Sequence, residues 1–335
     1  MGRTPPKPRA EVYDIFWRFT AERHRVYEQR VAGTPGPWTD DPILNTYKFC
    51  NVYRAADRVS QALIKEVIYV DDTTAAEDLA FQITMFRTFS NINTWQSLVR
   101  HFGRKPVIDD LLGDGLEEAL NAVRAENGRL YTGAFILCAT NAYGRGTKHL
   151  NHIELFRDMF AAQELQKQIL RAGSLREVYE ALHSFPLMGD FMSYQIAIDL
   201  NYSELTDFSE NDFTQPGPGA LRGIKKVFEN TGDYSPADIV HWMVDRQESE
   251  FAARGLEFNG LFGRPLQAID VQNLFCETDK YCREALPELK SARTRIKAKF
   301  SPSPDPVEAY FPPKWDLSVS SPAPLRRLFS LLHAG

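Results

Sequence analysis

Apolar residues recur every three or four positions along most of this chain, the spacing that buries one face of an α-helix. Two clear stripes begin at Val12 and Leu79, and the segment after Asn51 has the same period. The most strand-like run, residues 129–140, is long enough to be interpreted as a further helix. The pattern therefore predicts an all-α protein.

The two ends of the sequence differ in composition from the rest. Residues 1–10 are rich in proline and basic side chains, and residues 301–335 are rich in proline and serine. We predict a disordered N-terminus over residues 1–10, one folded catalytic unit over residues 11–300 and a C-terminal tail over residues 301–335. Nothing in the tail suggests chemistry.

Composition and charge indicate a globular protein with no general attraction for nucleic acid. Apolar residues make up 43% of the 335 residues, and the formal net charge is −5. A DNA-binding face would therefore have to be a local basic patch. We interpret the basic run at residues 21–33 as a solvated helix face. The sequence has neither the apolar segment of a signal peptide nor an 18-residue apolar run, so we expect a cytoplasmic protein without a membrane span.

Cysteine and histidine spacing predicts neither a disulfide framework nor a metal site. The four cysteines are scattered and lack the close pairs of zinc or iron–sulfur sites. They are Cys50, Cys138, Cys276 and Cys282. His149 and His152 are three residues apart, but no third ligand is evident. We expect free buried thiols, no bound metal and no cofactor.

The stretch from Leu182 to Phe228 constrains the function most. A helix ends near Phe185, a short apolar turn closes at Gly189, and a second helix runs from Asp190 to about Leu200. In such a helix-hairpin-helix pattern the glycine lets the backbone approach a phosphate, and the second helix offers its free N–H groups. Nucleic acid is the expected ligand.

The same stretch resembles the core of the helix-hairpin-helix DNA glycosylases, in which an essential aspartate follows the second helix. Asp212 lies 212 − 189 = 23 residues after Gly189 and matches that position. The sequence departs from the glycosylase pattern by keeping a single turn glycine, by placing Asp190 beside the expected phosphate, and by the sequence of residues 215–220. The resemblance implies a distant relative with a glycosylase-like helical architecture.

A closer resemblance covers roughly Tyr13 to Phe300. The chain is similar to the helical domain found with 5-hydroxymethyluracil DNA kinases and named for α-glutamyl/putrescinyl thymine pyrophosphorylases. Several separate blocks carry it in matching order: PWTDDPIL (37–44), YKFCNVYRAADRVSQALI (47–64), FRTFSNINTW (86–95), YTGAF (131–135) and DFTQPGPGALRGI (212–224).

The glycosylase resemblance implies that Asp212 is the catalytic residue. A carboxylate there could stabilise the sugar cation as the N-glycosidic bond breaks and could orient the attacking water. Asp207 and Glu210 lie in the same loop and remain alternatives, as does a capping role for Asp212. Phe191 stands where strand-cutting glycosylases carry a Schiff-base lysine, so we expect a monofunctional enzyme.

We expect DNA to be held by backbone groups, by basic side chains and by stacking aromatic rings. Asn51, Arg54 and Arg58 would share one side of the helix predicted after Asn51. The alternatives are ion pairs for the arginines and core packing for the aromatic residues. The candidate DNA- and base-binding residues are Asn51, Arg54, Arg58, Trp95, Gly189, Phe191, Tyr194, Gly217, Gly219, Lys225 and Lys226.

The leading hypothesis is a DNA glycosylase that excises a modified pyrimidine, with phage DNA as one source of such bases. Base flipping would bring the target into the pocket. One alternative is a transferase in which an amine displaces pyrophosphate from a base-linked methylene, and another is a non-catalytic DNA-binding module. The sequence contains no G-x-x-x-x-G-K-[ST] loop, so we expect no nucleotide cofactor.

Overall fold

The computed structural model describes residues 2–70, 74–133, 141–289, 295–296, 298–301 and 307–317. These residues are mainly helical, which confirms the predicted all-α class. The helices are α1 (Ala10–Val31), α2 (Pro42–Thr46), α3 (Arg58–Ala62), α4 (Ala76–Phe89), α5 (Ile92–Phe102), α6 (Gly115–Asn127), α7 (Lys148–Phe156), α8 (Leu165–Arg171), α9 (Leu175–His183), α10 (Asp190–Leu200), α11 (Pro218–Val227), α12 (Pro236–Ala253) and α13 (Ala268–Ala285). None of the described helices has the length and apolar character needed to cross a bilayer.

Shorter elements complete the secondary structure. A π-helical turn extends α3 over Leu63–Ile68, and another extends α7 over Arg157–Ala162. Single 3₁₀ turns lie at Arg54–Ala56, Ile108–Leu111 and Pro313–Trp315. The strands β1 (Lys7–Pro8) and β2 (Phe228–Asn230) pair antiparallel.

The chain forms two compact units. Unit 1 takes residues up to 57 and returns from 213 to 309, and unit 2 holds residues 58–212 and 310–316. Asp212 is thus the last residue before the chain leaves unit 2. The predicted boundaries at residues 10 and 300 stay a prediction.

In unit 1, α1 and α13 supply much of the core, and α11 packs closely on α13. Two glycines one helical turn apart make this approach possible. A Cβ at Gly223 would overlap the Phe275 carbonyl oxygen, and a Cβ at Gly219 would overlap the Cys276 sulfur. The glycines of α11 therefore have a packing role within the protein.

The N-terminal residues that the structure describes are ordered, contrary to the prediction for residues 1–10. β1 pairs with β2, and Arg3 forms a 2.6 Å ion pair with Asp238. The Thr4 backbone N–H donates to the Asp233 carboxylate at 2.6 Å. Composition alone missed this because the ordering comes from partners more than 200 positions away in sequence.

Unit 2 is built around α4, in which every residue from Ala80 to Phe89 is buried. Arg87 of α4 donates to both carboxylate oxygens of Asp199 in α10, and both side chains are at most 1% exposed. A buried charge pair with two hydrogen bonds fixes the relative placement of its two helices, because separating the partners would leave a charge without compensation. The pair therefore anchors α10 within unit 2.

Two helix predictions are wrong in their described parts. No continuous helix follows Asn51, because α3 begins only at Arg58. Asp57 is extended (ψ 146°), its carboxylate accepts from the Asn51 N–H at 2.8 Å, and the Asn51 amide donates to the Ala56 carbonyl at 2.7 Å. These side-chain hydrogen bonds use backbone groups that a helix would otherwise pair with each other. Residues 129–133 are also non-helical, and the rest of the predicted helix, 134–140, lies outside the described residues.

Candidate functional site

The helix pair predicted from the turn sequence is present in unit 2. α9 and α10 pack together, and residues 184–189 join them. Gly189 has φ −79°, a value open to any residue, whereas Leu187 takes the positive φ of the turn, 70°. A Cβ at Gly189 would meet nothing within 4 Å. Gly189 is therefore not required by the fold itself, and its exposed backbone is open to a ligand.

Asp190 already provides a negative charge at the N-terminus of α10. Its Oδ1 accepts from His183 Nε2 at 2.8 Å and from the Tyr179 hydroxyl at 3.3 Å. A carboxylate in the first turn interacts favourably with the helix dipole. A DNA phosphate at this helix end would meet the Asp190 charge, so the N-terminus is a poorer anion site than the turn motif suggests.

The loop after α10 carries the candidate catalytic carboxylate. Asn201 organises this loop by donating to the Phe208 carbonyl at 2.8 Å and accepting from the Phe208 N–H at 2.9 Å and the Thr206 hydroxyl at 3.1 Å. Asp212 at its end is exposed. Within the described part of the chain the Asp212 carboxylate makes no hydrogen bond or ion pair. It is thus available to a substrate.

The two alternative acids in this loop have different surroundings. Glu210 is only 4% exposed and is engaged within the protein. Asp207 is 87% exposed, with its Oδ1 3.6 Å from Lys314 Nζ. Burial makes Glu210 a poor candidate. Asp207 and Asp212 are both exposed, and they differ in that only Asp207 contacts Lys314. Asp212 remains the stronger candidate because its carboxylate is unpaired among the described residues.

Lys314 connects the C-terminal tail to this loop. Its ammonium group donates to the carbonyl oxygens of Ser203 and Thr206. Nearby, the Gln61 amide both donates to and accepts from the backbone of Tyr310, at 2.8 and 2.9 Å. The described tail residues 310–316 are therefore part of unit 2. No pattern in the tail sequence indicated this role.

The three polar residues predicted on one helix side are not so arranged. Asn51 is occupied, since its Oδ1 accepts from Arg23 Nη2 at 2.5 Å and its amide group bonds the backbone. Arg54 is 1% exposed, and its backbone N–H donates to the Asp270 carboxylate. Arg58 is exposed and begins α3 in unit 2. Arg58 alone of the three presents its charge to solvent.

The aromatic residues proposed to stack on a base are mostly core residues. Trp95 is 3% exposed and packs edge-to-face on Phe86, with ring centroids 5.9 Å apart. Tyr194 is fully buried in α10. Neither ring can meet a flipped base without rearrangement of the core, so their predicted stacking role is not supported by their placement. Phe191 is half-buried and stays a candidate.

The basic pair of α11 is divided between surface and core. Lys225 is exposed. Lys226 is 6% exposed, with its Nζ 3.1 Å from the Asp279 carbonyl oxygen and 3.2 Å from the Asp279 carboxylate. The expectation that both lysines face DNA is therefore wrong for Lys226, which compensates a buried carboxylate. Gly217, the N-cap of α11, is buried.

A recessed polar cluster in unit 1 was missed by the sequence analysis. Asn51 joins Arg23 of α1 to the half-buried Asp57, and burial together with the nearby Glu277 carboxylate raises the pKa of Asp57 to about 6. Glu277 of α13 accepts from the Cys50 N–H at 2.9 Å. The basic run at residues 21–33 was the only part of this cluster that the sequence analysis considered. It was interpreted as a solvated helix face because its buried residues, such as Arg23, alternate with exposed ones.

His149 and His152, the two histidines three residues apart, each have a hydrogen-bonding partner within the protein. His152 Nδ1 lies 2.8 Å from the Tyr131 hydroxyl, and His149 Nε2 lies 2.9 Å from the Asn121 amide oxygen. Over the described ranges, no three His, Cys, Asp or Glu side chains are grouped as metal ligands. Cys50, Cys276 and Cys282 are free thiols, and Cys138 lies outside the described residues.

Comparison with known proteins identifies the family. Residues 10–291 match the family described as 5-hmdU DNA kinase, helical domain. The chain is 27% identical over 296 residues to a 5-hmdU DNA kinase of Bacillus phage SP10. The matched region covers 83% of this chain but 46% of the phage protein, so the chain spans about half the length of that relative. No solved structure matches the chain. The closer of the two resemblances is thus confirmed, and the chain belongs to the 5-hmdU DNA kinase helical-domain family.

Proposed function

We propose that this chain acts on DNA that contains 5-hydroxymethyluracil or a base made from it. The family match over residues 10–291 and the phage relative named for that substrate support the choice of DNA and of base. In unit 2, the exposed Gly189 backbone and Arg58 offer contacts for a phosphate backbone, and Lys225 offers a separate one in unit 1. Two of the four predicted basic contacts, Arg54 and Lys226, are buried, so we expect recognition of the modified base to contribute much of the binding free energy.

The proposed reaction is hydrolytic excision of the base, and the unpaired Asp212 carboxylate is the observation that carries it. As the bond between N1 of the base and C1′ of the sugar breaks, Asp212 would stabilise the positive charge at C1′. The base would leave with the bonding electron pair and take up a proton from solvent, while the carboxylate would accept a proton from the water that attacks C1′. Phe191 offers no amine for a covalent intermediate, so water is the nucleophile.

A second candidate reaction is displacement of pyrophosphate from the base-linked methylene by an amine. The phage relative is named as a kinase of 5-hmdU DNA. Phosphorylation of the exocyclic hydroxymethyl group would create the leaving group that this reaction needs. In this reaction the amine nitrogen bonds the methylene carbon while the carbon–oxygen bond to pyrophosphate breaks. The activated substrate must come from another enzyme. A non-catalytic DNA-binding module is the third possibility.

Product analysis separates the three functions. Purified protein is incubated with duplexes that carry thymine, 5-hydroxymethyluracil or its pyrophosphorylated form, with and without an amine, and released material is measured by mass spectrometry. Free modified base supports excision, and amine-dependent pyrophosphate release supports transfer. Binding of the modified duplex without any product indicates the binding module. Borohydride should trap no protein–DNA adduct, and a trapped adduct would contradict the role of water.

A further inference from the structure

Unit 1 carries a basic surface that the sequence analysis did not consider. Residues 290–299 contain five Lys or Arg residues and no Asp or Glu. Two of the five, Arg295 and Lys299, belong to the described part of the chain, and both are exposed. Lys48 is also exposed, on the short segment that pairs antiparallel with the backbone around Lys299. We call Lys48, Arg295 and Lys299 the basic ledge.

Backbone hydrogen bonds and one buried side chain hold the ledge on unit 1. The Lys48 N–H donates to the Ala298 carbonyl oxygen at 3.0 Å, and the Phe300 N–H donates to the Thr46 carbonyl oxygen at 3.0 Å. Ile296, within the basic run, is only 8% exposed. The charged side chains therefore extend from backbone that is already ordered, which reduces the entropy lost when a ligand binds.

The positive charges of the ledge have no carboxylate partners. Several exposed cations elsewhere in unit 1 contact an Asp or Glu side chain, namely Arg3, Lys7, Arg18 and Arg25. No ion pair joins Lys48, Arg295 or Lys299 to an acidic side chain in the parts of unit 1 that the structure describes. Lys299 lies over the Tyr47 ring, with its Nζ 4.0 Å from the ring centroid. That contact orients the ammonium group but does not neutralise it.

A polyanion is the ligand that suits such a surface. Three uncompensated cations produce a local positive potential, although the whole chain has a formal net charge of −5. An acidic protein that binds DNA needs a local patch of this kind, and runs rich in Lys and Arg are typical of such patches. Lysine and arginine contact the phosphate oxygens of DNA without reading the bases.

A membrane surface suits the ledge less well. Peripheral membrane binding combines basic side chains with apolar side chains that enter the bilayer. The large apolar side chains that are exposed within the described residues are Leu112, Leu170, Leu221 and Phe262. None of them lies in the two segments that form the ledge, so the ledge offers charge without an apolar anchor.

We propose that the basic ledge of unit 1 is a docking surface for the phosphate backbone of DNA. The choice of DNA rests on the proposed function, whereas the uncompensated charge of the ledge does not. Each of the three side chains neutralises one phosphate, so the ledge should contribute about 3 × −0.9, or about −2.7, to the slope of log K against log[salt]. Modified and unmodified duplexes should use it equally.

Fluorescence anisotropy of labelled duplexes over a salt series tests the proposal. Lys48→Ala, Arg295→Ala and Lys299→Ala should each reduce the slope by about 0.9, and the triple variant should reduce it by about 2.7. Urea unfolding establishes that each variant is folded, and the single variants keep the test available if the triple variant is not. Lys7→Ala is the matched control, because it removes the same charge from an exposed lysine of unit 1 that is paired with Glu229. It should keep the wild-type slope.

A wild-type slope in the folded ledge variants would overturn the inference. So would an equal reduction in Lys7→Ala, which would indicate an effect of net charge alone. Sedimentation with phosphatidylserine vesicles adds a further arm: vesicle binding that the ledge variants lose, with DNA binding unchanged, would replace DNA by a membrane as the partner.

Base release from a duplex with one 5-hydroxymethyluracil separates this inference from the proposed function. If the triple variant releases the base and binds the duplex as wild type does, the inference fails and the proposed function stands. If the ledge variants weaken DNA binding as expected, but the wild type neither releases the base nor prefers the modified duplex, the ledge stands and the proposed function fails.

Discussion

Lys314 is bonded to Thr206 by a 2.6 Å hydrogen bond from its ammonium group to the backbone carbonyl oxygen, and a second bond of 2.7 Å reaches Ser203. Burial lowers the pKa of Lys314, although the neighbouring Asp207 favours its charged form. Both accepting carbonyls belong to the loop that ends at Asp212. A residue from the C-terminal tail therefore holds the loop that carries the candidate catalytic group.

Replacement of Lys314 tests whether loop position matters for catalysis. Lys314→Met should lower kcat about tenfold or more with little change in DNA affinity, since small displacements of a catalytic group are costly. Hydrogen exchange of residues 203–208 should become faster, and Lys314→Arg should restore part of kcat. Lys167→Met, an exposed lysine of unit 2, is the matched control. Unchanged kcat in a folded Lys314→Met protein would show that the loop needs no such support.

The two adjacent lysines of α11 should behave differently. Lys226→Ala should lower the free energy of unfolding by about 1–3 kcal/mol, because it removes a partner of the buried Asp279. Lys225→Ala should leave stability unchanged and reduce the slope of log K against log[salt] by about 0.9, the value for one phosphate contact. Urea unfolding and fluorescence anisotropy measure these effects. If a folded Lys226→Ala protein had a reduced salt slope and Lys225→Ala did not, these two assignments would be contradicted.

Two glycine-to-alanine changes separate packing from ligand contact. Gly223→Ala should destabilise the protein by about 2–4 kcal/mol, because the new methyl group overlaps the Phe275 carbonyl oxygen across the α11–α13 contact. Gly189→Ala should change stability by less than about 0.5 kcal/mol, since its φ is ordinary and the space is open. If DNA approaches this backbone, Gly189→Ala should still weaken binding by several-fold. Equal affinities would remove the turn from the DNA contact.

Stability should depend on pH through His152. Burial lowers the pKa of His152 to about 3, whereas an unfolded histidine has a pKa of about 6.5. Between these values the unfolded state binds a proton that the folded state does not, so stability falls as pH drops below about 6.5. His152→Gln should flatten the dependence of the unfolding free energy on pH by up to about 1.4 kcal/mol per pH unit. Urea titrations at pH 4.5–7.5 test this.

Asp57 should contribute a pH dependence of the opposite sign in the same urea titrations. Its pKa is raised to about 6, so between pH 4 and 6 the folded state binds the extra proton and stability from this group falls as pH rises. Asp57→Asn should therefore make stability rise more steeply with pH in that window. The same direction of change in both variants would contradict these assignments.

The sequence predicted elements that depend on local patterns and missed those that depend on distant partners. The turn at Phe185–Gly189 was found because apolar spacing and a glycine mark it locally. The helix expected after Asn51 fails because the Asp57 carboxylate bonds the Asn51 backbone, a competition that periodicity does not reveal. Burial of Lys226 requires Asp279, which is 53 residues away. Trp95 shows the same limit, since periodicity does not distinguish a core ring from a stacking one.

The most direct test of the proposed function is a single-turnover assay on a duplex with one 5-hydroxymethyluracil, comparing wild type, Asp212→Asn and Asp207→Asn. The proposed mechanism predicts that wild type releases the base. Asp212→Asn should be slower by at least about 100-fold with DNA affinity within a few-fold, because the lost charge matters in the transition state. Asp207→Asn should keep near wild-type activity. Base release by Asp212→Asn at the wild-type rate, or no release by the wild type, would contradict Asp212-dependent excision.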